Sequence, residues 1–202
     1  MHFSLRLERA RCHVSCLEFL ILSIHDFEDP QRRVLKRPVD VKNGVDFMLN
    51  KYPIIDSNRV FLNGLSYGGY VVYHAVLKYS TTFQGGIIVN GVVDYNIALG
   101  EMPDFFAPIV NMKLEEFKGQ SLDYDIQGAS LFKQGKKLRT KLLAFQGRKD
   151  ELIPASAVDS LMKQLDSPNI TYIPIDESGH EISDPETGKM ITERSIEFIL
   201  AN

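Results

Sequence analysis

From residue 39 onward, apolar runs of strand length alternate with stretches whose apolar residues recur at helical spacing. This alternation is typical of βαβ units, in which helices cover a parallel sheet. The predicted strands are 59–62, 86–89, 142–145 and 170–175, and the predicted helices are 40–52, 70–79, 158–165 and 190–200. The sequence therefore predicts an α/β protein.

Residues 92–138 interrupt this alternation. Pro103 and Pro108 break any long helix there, while Phe105 and Phe106 make the stretch too apolar for a linker. We interpret it as a small helical lid, with ordinary surface packing as the alternative. The whole chain has 202 residues and 44% hydrophobic residues, which suffices for one core. A single domain, residues 1–202, is expected.

The N-terminal region carries an apolar run, Leu17 to Ile24, that follows several basic residues. A secretory signal peptide is disfavoured because Glu18 interrupts the run and no small-x-small cleavage site follows. A buried strand is the better interpretation. No apolar stretch approaches the 18 or more residues that a membrane span needs, so no membrane partner is expected.

Charge and cysteine content exclude several classes. The chain has 23 Lys and Arg against 26 Asp and Glu, which is too balanced for a nucleic-acid footprint. Cys12 and Cys16 are its two cysteines, and a pair at this spacing predicts neither a disulfide framework nor a zinc site. A reduced, cytoplasmic protein without a metal is the expectation.

A nucleophile motif lies between a predicted strand and a predicted helix. The segment Gly64-Leu65-Ser66-Tyr67-Gly68 fits G-x-S-x-G, in which the serine occupies a sharp, strained turn. Glycines keep side chains from blocking that turn, and the following helix begins where the Tyr67 amide can donate to an oxyanion. Ser66 is the candidate nucleophile, and an idle serine in a glycine-rich turn is the alternative.

A serine hydroxyl needs a base to act as a nucleophile. In chains with this serine motif, the acid and the base follow the serine in the order Asp or Glu, then His. Four of the five histidines precede Ser66 or lie in the predicted helix after it, and His180 is the one beyond the later strands. It follows the strand that ends at Ile175, at the carboxyl edge of the sheet. His180 is therefore the candidate general base.

The acid is expected in a loop at the same edge. Asp150 follows the strand that ends at Phe145, and its carboxylate would fix the imidazole tautomer and stabilise the imidazolium. Asp150 is the first candidate, and the alternatives are Glu151, Asp94 and Asp176.

At these residues the chain resembles the α/β-hydrolases, and within them the prolyl oligopeptidase and dienelactone hydrolase branches. Gly64 to Tyr70 is similar to the nucleophile turn of the first branch, with a lead-in at Ile55 to Val60. Phe145 to Asp150 resembles the family's His-Gly-x-x-Asp acid loop, with Gln146 in place of the histidine. Ser178-Gly179-His180 resembles the histidine loop. Glu28 to Phe47 looks like the approach helix of dienelactone-hydrolase-like esterases.

The resemblance implies an α/β-hydrolase fold with helices on both faces of a mostly parallel sheet. It implies a serine hydrolase, of carboxylesterase or peptidase type, that cleaves an ester, thioester or amide through an acyl-enzyme. No metal or organic cofactor is implied. The expected substrate is a small acyl compound or a peptide, with Phe105 and Phe106 lining its pocket.

The sequence departs from this family before the nucleophile, because 65 residues precede Ser66 and leave no room for about three of the usual strands. An N-terminally truncated fold is therefore expected, without the family's second oxyanion amide. Residues 17–24 would fill a vacant place in the sheet, and backbone at 25–27 would supply a substitute donor.

A competing interpretation is a truncated or inactive hydrolase-like domain that acts as a binding module. An open sheet edge would favour pairing with another chain, including a second copy in a homo-oligomer. A further alternative is that the first 25 residues are not the native start of the domain.

Overall fold

The structure is a computed structural model that describes residues 33–93 and 138–202. The predicted strand at 17–24 and nearly all of the lid-like stretch lie outside the described residues. The described elements, in chain order, are α1 (Arg33–Lys51), β1 (Phe61–Leu65), α2 (Tyr67–Lys78), β2 (Gly85–Val89), β3 (Lys141–Gly147), α3 (Ala155–Leu165), β4 (Ile170–Ile175) and α4 (Pro185–Ala201).

The four strands form one parallel sheet in the order β1-β2-β3-β4. The register pairs Leu65 with Val89 and Val89 with Phe145, and it pairs Gly147 with Ile175. Because the strands are parallel, all four carboxyl ends meet at one edge. The loops that carry the predicted site residues leave from that edge.

Helices cover both faces of the sheet, because alternate strand residues enter two separate hydrophobic cores. In β3, Leu142 and Ala144 pack in the core that includes residues of α1, α2 and α3. Leu143 and Phe145 pack in the other core, which Ile199 of α4 closes. The predicted α/β architecture, a parallel sheet with helices on both faces, is confirmed in the described part of the chain.

Several boundaries differ from the sequence prediction. α1 begins at Arg33 instead of residue 40 and continues through Pro38, although it ends at Lys51 as Pro53 requires. β1 begins at Phe61 and continues to Leu65.

Among residues 33–93 and 138–202, no helix has the length and apolar character needed to cross a membrane.

α4 begins at Pro185, five residues before the predicted start at Met190. The side chain of Asp184 caps the helix by accepting the Thr187 amide at 2.8 Å. A proline at the first helical position needs no amide partner, so Asp184 and Pro185 together start the helix early.

Candidate active site

Ser66 occupies the turn between β1 and α2. Its backbone has φ 55° and ψ −120°, a strained conformation for a residue with a side chain. The Ser66 amide donates to the Val89 carbonyl at 3.0 Å, and the Ser66 carbonyl accepts the Gly69 amide at 3.0 Å. The serine is thus fixed at the carboxyl end of β1, beside the end of β2.

Two glycines permit this turn by close backbone contact. A Cβ on Gly64 would lie 2.4 Å from the Gly68 carbonyl carbon and oxygen, and one on Gly69 would lie 2.7 Å from the Gly91 Cα. These neighbours are backbone atoms that cannot rotate away. Gly64 therefore lets β1 approach α2, and Gly69 lets α2 approach the segment that follows β2.

Tyr67 is the first residue of α2, and its ring stacks on that of Tyr70 with centroids 5.9 Å apart. The N-terminus of a helix carries partial positive charge and favours anions. Ser66 is the residue directly before this end of the helix.

The Asp150 carboxylate is fully buried in the loop after β3. Its Oδ1 accepts the amides of Leu152 and Ile153, each at 2.8 Å. Its Oδ2 lies 3.3 Å from the Gln146 side-chain amide nitrogen, which also donates to the carbonyls of Gly147 and Ile153 at 3.1 Å. A buried carboxylate needs such partners, and these bonds fix the direction of both oxygens.

His180 pairs with this carboxylate. Its Nδ1 lies 2.9 Å from Oδ2 and 3.1 Å from Oδ1 of Asp150. The imidazole is 18% exposed, so it faces the surface at the rim of the sheet. With Nδ1 on the carboxylate, Nε2 remains the ring nitrogen that can take a proton from another group.

Of the alternative acids that the structure describes, neither Glu151 nor Asp176 pairs with the histidine. Glu151 is exposed. The Asp176 side chain is 89% exposed and lies 4.0 Å from Arg148. Asp94, Phe105 and Phe106 lie outside the described residues. The geometry therefore brings Asp150 and His180 together.

Backbone contacts join the loops that carry Asp150 and His180. The Arg148 amide donates to the Ile175 carbonyl, and the Lys149 amide donates to the Ser178 carbonyl, both at 2.9 Å. A Cβ on Gly147 would lie 2.4 Å from the Ser178 oxygen. The two loops are therefore packed directly against each other.

One polar residue at this edge was missed by the sequence analysis. Asn90 follows β2, is fully buried, and contacts both loops through its side chain. A polar residue directly after an apolar strand, at the carboxyl edge, was the available signal. Val89, whose carbonyl accepts the Ser66 amide, precedes Asn90 in the chain. Ser66 and the His180–Asp150 pair are thus linked through one short segment.

The carboxyl-edge site of this parallel sheet, with a strained serine after a strand and a histidine–carboxylate pair on later loops, defines an α/β-hydrolase. The family model described as Peptidase_S9, the prolyl oligopeptidase family, matches residues 32–202. The chain belongs to this family. The predicted resemblance to the prolyl oligopeptidase branch is confirmed. The predicted class of enzyme, a serine hydrolase of peptidase-like type, is the class of this family.

A characterised relative supports the same family. Dipeptidyl aminopeptidase BIII of Pseudoxanthomonas mexicana is 23% identical over 144 residues, which are 69% of this chain and 21% of that protein. The chain thus spans about a fifth of the length of this relative.

Solved structures share the fold. Pyrococcus horikoshii acylaminoacyl peptidase superposes with a TM-score of 0.63 at 18% identity, over 79% of this chain and 26% of that chain. Porphyromonas gingivalis dipeptidyl peptidase 4 gives 0.64 at 20% identity, over 82% and 22%. An esterase of Pyrococcus furiosus gives 0.61 at 18% identity, over 82% and 62%.

Proposed function

We propose that this chain cleaves acyl bonds through an acyl-enzyme, with Ser66 as nucleophile, His180 as general base and Asp150 as the orienting acid. The observation that carries the proposal is the 2.9 Å contact between His180 Nδ1 and the buried Asp150 carboxylate, at the sheet edge where Ser66 occupies a strained turn. Membership of the prolyl oligopeptidase family supports it.

In the acylation half, the Ser66 oxygen attacks the carbonyl carbon of the substrate while His180 Nε2 takes the hydroxyl proton. Asp150 stabilises the imidazolium that forms and does not itself take the proton. The carbonyl oxygen becomes an anion, which the Tyr67 amide at the start of α2 stabilises.

The tetrahedral intermediate then collapses and the leaving group departs with the proton from His180. In the deacylation half, a water attacks the acyl-enzyme and gives one proton to His180. Release of the acid breaks the bond to the Ser66 oxygen, and the proton returns from His180 to that oxygen. The net reaction is hydrolysis, and the side chains end as they began.

The substrate class is a small acyl compound or a peptide. The similar proteins are named as aminopeptidases, acylaminoacyl peptidases and an esterase, so esters and amides are both suitable candidates. We propose that Phe105 and Phe106 line the acyl pocket, which would favour apolar acyl or aryl groups.

Turnover of p-nitrophenyl esters and aminoacyl-naphthylamides tests this function. We expect the native chain to cleave members of at least one set, and Ser66→Ala to lower kcat by about 10⁴-fold or more, because the nucleophile is lost. Ser160→Ala is the matched control, since Ser160 is exposed on α3 and its hydroxyl donates to the Ser156 carbonyl within the same helix. The proposal is contradicted if Ser66→Ala turns over substrate as fast as the native chain does, or if the native chain shows no turnover.

A further inference from the structure

We propose that Asn90 is a positioning residue, whose side chain holds the His180 loop against the start of the Asp150 loop and so sets the direction of the imidazole. This inference rests on the proposed function, because it gives Asn90 a part in the same reaction.

The side chain of Asn90 bonds to both loops. Its Oδ1 accepts the Gly147 amide at 2.8 Å. Its Nδ2 donates to the carbonyls of Gly179 at 3.0 Å and His180 at 2.8 Å. The reverse orientation of the amide would set its oxygen against two carbonyls and its NH₂ against an N–H. The bonding pattern therefore fixes which atom is nitrogen.

Burial strengthens these bonds. Asn90 is 0% exposed, so water does not compete for the groups that it binds, and hydrogen bonds in such surroundings are stronger than in water. Removal of the side chain would leave a backbone amide of one loop and two carbonyls of the other without this partner. A buried polar group without a partner costs free energy, so both loops would be destabilised. The side chain is thus a strong restraint on the distance between the loops.

The backbone conformation at position 90 limits which residue types fit there. Asn90 has φ 48°, in the left-handed region that glycine and asparagine tolerate best. Its amide donates to the Phe145 carbonyl at 2.9 Å, which anchors the turn on β3. Glycine would fit this backbone but offers no side chain, so asparagine is suited to both tasks.

The side chain of Asn90 bonds to backbone atoms of the two loops. Its described hydrogen bonds do not include the imidazole or the Asp150 carboxylate. The His180–Asp150 hydrogen bond at 2.9 Å would weaken if the loop moved by about 1 Å, because such bonds fall off beyond about 3.2 Å. A misplacement of that size costs up to about 100-fold in rate. A purely structural Asn90 would instead affect stability and leave kcat unchanged.

Two variants of the full chain separate these roles. Asn90→Gly keeps the left-handed backbone and removes all three side-chain bonds. Asn90→Asp keeps the shape and the acceptor for Gly147 but turns the donor into an oxygen that faces two carbonyls. Asn169→Ala is the matched control, because Asn169 also donates to a backbone carbonyl, that of Leu138, at the opposite edge of the sheet.

The measurements are kcat and KM on the ester that the native chain cleaves fastest, the melting temperature, and the proton NMR resonance of His180 Nδ1–H. Well below the melting temperature, we expect both Asn90 variants to lower kcat by about 10- to 100-fold with little change in KM. The Nδ1–H resonance should move upfield or broaden. Asn169→Ala should match the native chain in both readouts.

Native kcat in folded Asn90 variants, or an unchanged Nδ1–H resonance, would overturn the positioning role. If the native chain hydrolyses nothing, the proposed function fails. The Nδ1–H resonance of the two variants still decides whether Asn90 orients His180.

Discussion

Asp150 carries the strongest electrostatic constraint among the site residues, because its carboxylate is buried and both oxygens have partners. Asp150→Asn keeps an oxygen for the Leu152 and Ile153 amides, so we expect the fold to persist. The amide no longer stabilises an imidazolium and favours the wrong tautomer of His180. In a comparable triad this change costs about 10⁴-fold in kcat.

Steady-state hydrolysis of the same ester measures this effect, with Glu151→Gln as the control because Glu151 is the exposed neighbour. Activity in Asp150→Asn close to that of Glu151→Gln would show that Asp150 does not orient the base.

Gly147 lies where the Asp150 and His180 loops are in close backbone contact. In Gly147→Ala the new Cβ would lie 2.4 Å from the Ser178 oxygen and 2.7 Å from the Gly179 oxygen, so backbone must shift. We expect a loss of about 1–3 kcal/mol in the free energy of unfolding, the usual cost of overpacking. Urea denaturation measures it.

Gly44→Ala is the matched control for Gly147→Ala. Gly44 lies within α1 and a Cβ there meets nothing within 4 Å. Alanine should raise the free energy of unfolding by about 0.5–1 kcal/mol, because glycine is a poor helix former. If both substitutions changed the free energy of unfolding by the same amount and in the same direction, the close contact at Gly147 would not be the cause of the change in Gly147→Ala.

The sequence predicted Ser66, His180 and Asp150 because each has a local signal: a motif, a chain order, or a place after a strand. It did not predict Asn90, whose partners Gly147 and His180 are 57 and 90 positions away. The pairing of β2 with β3 and of β3 with β4 brings these groups together. The place of Asn90 directly after an apolar strand was a local signal, but its partners are set by contacts between distant loops, which the sequence pattern does not show.

At the scale of elements, Asp184 controls the start of α4. Hydrogen bonds from the Thr187 hydroxyl and amide lower the pKa of Asp184 below its ordinary value of 3.8. A lowered folded-state pKa adds stability above the unfolded value, and that stability is lost as pH falls through the folded value. We expect Asp184→Ala to lower the melting temperature by about 2–4 °C at pH 7.

The difference between Asp184→Ala and the native chain should shrink as pH falls below about 3.8, where the native carboxyl also becomes neutral. Thermal denaturation at a series of pH values measures it. Glu193→Gln, an exposed charge change inside α4, is the control. A difference that stays constant down to pH 3 would contradict the role of the charged cap.

β2 and β3 were predictable because they are buried on both faces and read as continuous apolar runs, as in Ile87 to Val89. The first residues of the helices were less predictable from the sequence. Tyr67 begins α2 directly after Ser66, because the strained turn reverses the chain in one residue, whereas apolar spacing first becomes regular at Tyr70. Apolar spacing reports which face is buried and says little about where a helix begins.

At the scale of the molecule, two cores on opposite faces of one sheet hold the carboxyl edge in place. This two-sided burial follows from the order of apolar runs, which is why the α/β class was predictable from sequence. The family was predictable from the nucleophile turn and from the two later loops that resemble those of the family. The source of a second oxyanion donor was not, since the prediction for backbone at 25–27 lies outside the described residues.

The most direct measurement is reaction of the full native chain with a fluorophosphonate, followed by peptide mapping of the adduct. We predict a single modified residue, Ser66, and a rate that falls by orders of magnitude in His180→Ala because the hydroxyl loses its base. Modification of another serine, no modification of the native chain, or a rate unchanged in His180→Ala would contradict the assignment of Ser66 and His180.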